Sequence, residues 1–341
     1  MITVAVNKLV DSLKPRQKEV IIKRYALKGG PRETLASLGE KNGITRERVR
    51  QIEAEALDNL REYATKEKVG KEASDSIASH LKNMGGLRRD NILLDELKNL
   101  LGDKNLTHWH LRFFSEIIGQ PFYYAQDDDF YHFWYLNEDH IKKARDFISK
   151  LEKLIKTKKA DIVDNGNFHV YLTRQSTEHK IPHFVGSNYI SVSKRFHVNQ
   201  FGDFGLSDWE EINPKTMRSH AYLVLKKEGK PMHFKEVTDA INKINADLKA
   251  LPQTIHNELI KDPRIVLVGR GLYSLPSKEY VNGTCREVIA KILKKNGPLS
   301  SEKILMEVSK QRILKNNTIL FNLQNKNYFK RLGDGRYMIV K

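Results

Sequence analysis

The chain is 341 residues long, with 59 Lys and Arg against 42 Asp and Glu and a formal net charge of +17, a surplus that points to a polyanionic partner. A single cysteine, Cys285, excludes an intramolecular disulfide and a multi-cysteine zinc site. No apolar run approaches the roughly 18 residues that span a bilayer, and the N-terminal MITVAVNKLV leads into an amphipathic pattern instead of a signal peptide. A soluble, cytoplasmic, nucleoid-associated protein with no membrane partner is expected.

The charge is uneven along the chain: residues 1–64 carry +4, 65–214 carry −1, 215–277 carry +5 and 278–341 carry +9. The ends are therefore expected to touch nucleic acid, and the neutral middle to touch protein or act as a spacer. In chain order, residues 5–13 and 15–26 read as two helices with Leu9, Leu13, Val20, Ile21 and Tyr25 buried, and Gly29-Gly30-Pro31 ends the second. TLASLGEKNGI then gives a short amphipathic helix and a turn at Asn42-Gly43. The next stretch, TRERVRQIEAEALDNL from Thr45 to Leu60, places Val49, Ile52, Ala56 and Leu60 on one helical side. Arg46, Glu47, Arg50, Gln51 and Ala54 fall on the other. Arg can take guanine bidentately, Gln adenine, and Glu can accept from cytosine, so this outer face matches the chemistry of base edges in a major groove. Thr45 is a good N-cap that would aim the first turn outward. Helix, glycine turn and polar-faced helix make a helix-turn-helix.

The run SLKPRQKEVIIKRYALKGGPRETLASLGEKNGITRERVRQIEAEALDNLR resembles region four of the primary bacterial sigma factors, which reads the promoter −35 element. The likeness covers Val6 to Tyr63, and TRERVRQIE is its specific core. It implies that Arg46, Glu47, Arg50 and Gln51 contact bases, that Arg48 lies near phosphate, and that the module docks on the flap of core RNA polymerase. The chain departs from the family at Glu55, Asp58 and Asn59, where basic residues are usual. Those departures weaken the end of the helix as a phosphate-binding and activator-docking surface.

From about residue 74 one plan repeats every 60–75 residues: helices, a polar-faced helix, then two short strands around a Gly or Asp turn. The first copy has helices 92–101 and 106–118, and aromatic strands in 121–136 turned by Asp127-Asp128-Asp129. The second follows a long amphipathic helix, 138–156, with NYISVSKRFHV (188–198) and NQFGDFGLSDWEEI (199–212), and there the plan is less legible. The third runs through 217–244, 251–262 and 264–277, and the fourth through 285–311, 316–326 and 328–341. Three helices and a Gly-turn hairpin form the winged-helix plan. KKEGKPMHFKEVTDAI with LPQTIHNELIKDPRIVLVGRGLYSL resembles the HARE-HTH winged helix, also found in the delta subunit of some bacterial RNA polymerases and in restriction and chromatin proteins. The likeness spans Met217 to Pro276.

Of the phosphate-binding motifs of enzymes, neither G-x-x-x-x-G-K-[ST] nor G-x-G-x-x-G is present. His108 and His110 lie two apart on a helix, and Pro182 separates His179 from His183, so neither pair reads as a metal site. The aromatics of 121–135 read as wing and core, and Cys285 as a partly buried thiol. The expectation is thus a mainly α protein with small β-hairpins: a helix-turn-helix at 1–64, winged-helix-like segments at 65–137 and 138–214, a HARE-HTH-like winged helix at 215–277 and a C-terminal one at 278–341. Its expected function is sequence-specific DNA binding in transcription initiation or its regulation, with bacterial RNA polymerase, without catalysis and without a cofactor. The alternatives are a polymerase-associated scaffold without sequence readout, or a DNA reader of a restriction or defence system. No counterpart of the sigma melting region is legible, so strand opening is not expected. Candidate DNA contacts are Thr45, Arg46, Glu47, Arg48, Arg50 and Gln51, then Thr254, His256 and Arg270 in the third copy, and Lys315, Asn317, Thr318 and Arg336 in the fourth.

Overall fold

Four helices open the chain: α1 (Ile2–Asp11), α2 (Pro15–Arg24), α3 (Leu35–Asn42) and α4 (Arg46–Lys66). Pro15 begins α2, where a missing N–H costs nothing. Leu9, Leu13, Val20, Ile21 and Tyr25 are buried as the pattern predicted. Gly43 ends α3 in the left-handed region at φ +63, a conformation open to glycine at no steric cost. Gly39 packs tightly beneath the turn, because a Cβ there would meet the Ile44 carbonyl oxygen at 2.7 Å. The computed structural model describes residues 1–277, 280 and 283–340, and within them the chain is mainly α-helical with small antiparallel sheets.

Two compact units are formed, one of Met1–His197 with Phe204–Ser207 and the other of Val198–Asp203 with Asp208–Lys341. In the first, α4 buries Val49, Ile52, Ala56, Leu60 and Ala64 along one stripe. The early part of that stripe closes a small core with Val20 and Leu38. The later part enters a larger core shared with Ile77, Leu93, Phe113, Phe114 and Trp134. The division expected at 64–65 falls within α4, and residues on both sides of it bury the same surface. Fully burying each such Leu or Phe contributes about 1.5–3 kcal/mol, so the helix-turn-helix draws stability from the segment C-terminal to it.

That segment comprises α5 (Lys71–Asn83), β1 (Leu87–Arg89), α6 (Asp90–Leu100), α7 (His108–Ile118), β2 (Phe122–Tyr124) and β3 (Phe133–Tyr135), with sheet order β1-β3-β2. At the expected Asp turn, Asp127 Oδ1 accepts from the Asp129 and Phe130 N–H groups at 2.9 and 2.7 Å. Then come α8 (Glu138–Lys156), α9 (Lys159–Asn165), α10 (Phe168–Glu178), α11 (His183–Ser191) and the paired strands β4 (Phe196–Val198) and β5 (Phe204–Leu206). α8 has the predicted bounds. In the less legible second copy, the first four residues of NYISVSKRFHV complete α11.

The second unit holds α12 (Met217–Glu228), β6 (Met232–His233), α13 (Phe234–Ile244), α14 (Pro252–Lys261), β7 (Val266–Gly269) and β8 (Leu272–Ser274), with sheet order β6-β8-β7. This is the same element and strand order as α5 to β3. The chain ends with α15 (Cys285–Asn296), α16 (Ser301–Ser309), α17 (Asn316–Leu323), β9 (Phe329–Arg331) and β10 (Tyr337–Ile339). Leu299 bridges Tyr337 where the two three-stranded sheets have their first strand. Each of the two helix sets has its own core, one around Val237, Ile255 and Tyr273, the other around Val288, Ile304 and Ile319. Among the described residues, no helix is long and apolar enough to cross a membrane.

Candidate nucleic-acid interface

The outer face of α4 is built by its N-cap and its braces. Thr45 Oγ1 accepts from the Arg48 N–H at 3.1 Å, which fixes the first turn. Arg24 donates to Glu53 Oε1 at 3.0 Å and to the Glu33 carbonyl at 2.7 Å, tying α2 to the loop before α3 and to the middle of α4. Both side chains of that ion pair are largely shielded, so it is less screened than a surface pair. The result is a rigidly held row in which Thr45, Arg46, Glu47, Arg48, Arg50 and Gln51 are all exposed while Val49 and Ile52 are buried.

The row is internally paired. Arg50 donates from Nε and Nη2 to the Glu47 carboxylate at 2.7 to 3.1 Å, and Arg48 donates to Gln51 Oε1 at 3.0 Å. The hydrogen bonds from Arg50 hold the Glu47 carboxyl below its ordinary value. Exposed pairs of this kind are worth only about 0.2–1 kcal/mol, so a duplex can exchange them for its own donors and acceptors at small cost. Arg46 has no such partner within the row and projects from the first turn.

The third helices of the winged sets differ sharply. On α7, His110, Leu111, Phe113, Phe114 and Ile117 are buried, packed with α1 and α4. On α11, Val185, Gly186, Asn188, Tyr189 and Ile190 are buried, and Asn188 donates to the Met84 and Leu87 carbonyls at 2.7 and 2.6 Å. Neither helix presents a continuous outer face. On α14 only Ile255 and Leu259 are buried, and Gln253, Thr254 and Asn257 line the exposed side. His256 does not belong to that row. It is half-buried, its ring 4.6 Å from Phe234 and edge-on to Tyr273 at 5.8 Å. α17 buries Ile319 and Leu323 and exposes Asn316, Asn317, Thr318 and Phe321.

Arg270 is exposed at the turn between β7 and β8, and Lys315 just before α17. Together with Thr318 they line one cleft of about 550 Å³. Arg336, in the β9–β10 turn, pairs with Asp334 at 2.6 Å, and this pairing lowers the Asp334 carboxyl value. Beside it, Lys330 and Arg331 are exposed on β9. Sequence reasoning missed them, as it missed Gln253 and Asn257, although the alternation in YFKRL and the helical spacing in PQTIHNELIK both carry the signal. Among the described residues, no group of three or more His, Cys, Asp or Glu could hold a metal ion. His108 bonds Asp90 at 3.0 Å while His110 closes the α7 capping box with Thr107, so the two do not share a site.

Two family models match the chain. One, described as Sigma-70, region 4, covers residues 9–62. The other is the HARE-HTH family, described as an ASXL and restriction endonuclease HTH domain, and it covers residues 215–277. Residues in the first segment are similar to the RNA polymerase sigma-B factor of Nostoc sp., 48% identical over 58 residues, which is 17% of this chain and 18% of that protein. They are also similar to the sigma factor SigA of the same organism, 49% identical over 55 residues, covering 16% of this chain and 14% of that protein. SigA of Clostridium acetobutylicum is 40% identical over 62 residues, 18% of this chain and 16% of that protein. The chain thus spans less than a fifth of the length of these curated relatives. It carries a sigma-70 region 4 helix-turn-helix at its N-terminus and a HARE-HTH domain at 215–277.

Proposed function

We propose that this protein is a sequence-specific DNA-binding transcription factor that acts with bacterial RNA polymerase. The observation that carries this reading is the exposed row Arg46, Glu47, Arg50 and Gln51 on a helix braced by Thr45 and Arg24. It supplies donors and acceptors for guanine, adenine and cytosine edges from one rigid face. Arg48 stands beside it for a phosphate oxygen. The basic second unit extends the footprint through Gln253, Thr254 and Asn257 on α14 and Asn317 and Thr318 on α17, with Arg270, Lys315, Lys330, Arg331 and Arg336 neutralising phosphates. His256 plays a packing part only. The neutral segments 65–137 and 138–214 bury α7 and α11, the helices that would enter a groove, and serve as a platform for protein contact.

Association with polymerase core rests on the similarity of residues 9–62 to sigma factors, and in this reading the protein works in the cytoplasm at the nucleoid. The role is recognition without strand opening. Opening needs aromatic rings that trap unstacked bases, each worth about 1–3 kcal/mol of stacking. The densest aromatic run, 121–135, has Phe130, Phe133 and Trp134 buried. Tyr124 stacks on Phe133 at 4.5 Å, and Arg112 lies 3.8 Å over the ring of Tyr123. Permanganate footprinting on a selected duplex, with this protein and core polymerase as the only factors, tests the division. Protection without reactive thymines is expected. Reactive thymines downstream of the bound site would mean that this protein opens DNA.

A further inference from the structure

The last two helix sets are fastened to each other in an unusual way. Ile313, two residues before Lys315, donates its N–H to the Val268 carbonyl at 2.7 Å, and residue 313 forms a parallel bridge with Gly269. The wing edge β7 is therefore extended by the segment that leads into α17. Gly269 is required there, because a Cβ would stand 2.5 Å from the Ile313 carbonyl oxygen. Next to the bridge, Arg312 is 4% exposed and donates to the carbonyls of Leu267, in β7, and Gly283, just before α15. Removing a guanidinium from water is costly unless its donors are met, and here Nη1 and Nη2 each reach a backbone carbonyl, one on either side of the seam. A flexible tether would need none of this. A buried charge held by carbonyls of both sets favours the one register in which those carbonyls flank it.

The fastening brings DNA-type side chains of two different sets to one place. Arg270 of the β7–β8 wing and Lys315 and Thr318 at the start of α17 face the same cleft of about 550 Å³. Among the described residues that line it, none is a carboxylate. Residues 215–277 and 278–341 carry +5 and +9, and the complement of such a surface is a run of phosphates.

We propose that residues 215–340 act as one DNA-binding body, which reads a single uninterrupted duplex with fixed spacing between the contacts of α14 and those of α17. The wing of one winged helix and the third helix of the next straddle the same stretch of phosphate backbone. This rests on the proposed function, in which both sets bind duplex DNA. Rigid coupling makes the second set of contacts intramolecular, and the gain disappears when geometry forbids simultaneous engagement.

The test uses the full chain and a duplex selected with it. Hydroxyl-radical footprinting first locates the segment protected by α14, lost in a Thr254→Ala/Asn257→Ala variant, and the segment protected by α17, lost in an Asn317→Ala/Thr318→Ala variant, with an Arg270→Ala/Lys315→Ala variant marking the phosphates between them. Insertion of about 5 base pairs between them then turns one segment to the opposite side of the helix, half of a 10–10.5 base-pair turn. The parent should lose affinity by about tenfold or more, on the scale of one lost cluster of contacts. Ile313→Pro, which removes the N–H donor at a half-exposed position, and Gly269→Ala, which forces the seam apart from the other side, should each bind the original and the inserted duplex within about threefold of each other. Thermal melts of both variants check that the cores persist, and either variant alone suffices for the comparison. A parent that tolerates the insertion as well as the variants do would overturn the fixed spacing alone. If the Arg270→Ala/Lys315→Ala variant loses no protection and no affinity, the DNA reading of these sets falls, and the inference falls with it.

Discussion

Four side chains on the first two turns of α4 carry the specificity argument, and they are not equivalent. Glu47 and Arg50 neutralise each other, and Arg48 holds the Gln51 amide oxygen. The unbound row thus presents Arg46 as the cation with no partner inside it. In the proposed binding mode the Glu47–Arg50 pair is traded for base contacts, and this costs little because both partners are 59% exposed. Arg46→Ala or Gln51→Ala should weaken binding to a selected duplex by about 1–3 kcal/mol and relax preference at one base position. Titrations against the selected duplex and single-base variants of it measure both effects. The row was legible from residue types at helical spacing. Its internal pairing was not, since rotamers decide it. The inward turn of His256 was also beyond sequence, because it depends on Phe234 and Tyr273 arriving from other elements.

At the scale of elements, sequence reasoning found helices where apolar residues repeat cleanly, as in α1, α2, α4 and α8. The stretch from 157 to 191 resisted, although it folds into α9, α10 and α11. Its buried positions include Gln175, Ser176 and Asn188, which satisfy themselves by hydrogen bonds and so break the apolar stripe. β1 and β6 escaped for another reason, being two or three residues long and running straight into helices. α7 was found, but its packing against α1 and α4 was not legible. The loop before α7 adds a second clasp. Asp103 accepts from the Thr3 N–H at 2.7 Å and the Thr3 hydroxyl at 2.6 Å, and from the Met1 ammonium at 3.0 Å. Burial pushes its carboxyl up, but these donors outweigh burial and hold it below the ordinary value. A depressed folded value stabilises the protein above the unfolded value of about 3.9 and ceases to do so as pH falls through the folded one. Asp103→Asn should therefore cost about 1–3 kcal/mol at neutral pH, and the gap from the parent should close below about pH 4. Denaturant unfolding at pH 7 and at pH 3 checks this; a gap unchanged at pH 3 would refute the linkage.

For the whole molecule, charge along the sequence follows the packing of the third helices better than the repeat does. The repeat suggests four similar winged modules. The neutral stretch 65–214 coincides with the two in which α7 and α11 are buried, and the basic stretch 215–341 with the two in which α14 and α17 keep an open face. The same element order thus leaves the third helix covered in one stretch and open in the other, which is the basis of the proposed division between platform and reading surface. The account's central claim is that the protein reads duplex sequence through the face of α4. A selection from random duplexes, run in parallel with the full-length protein and with an Arg46→Ala/Gln51→Ala variant, tests it most directly. The account predicts that the parent recovers a short shared motif and that the variant loses preference at defined positions within it while keeping salt-sensitive binding. Recovery of no motif by the parent, or of the same motif by both proteins, would contradict it.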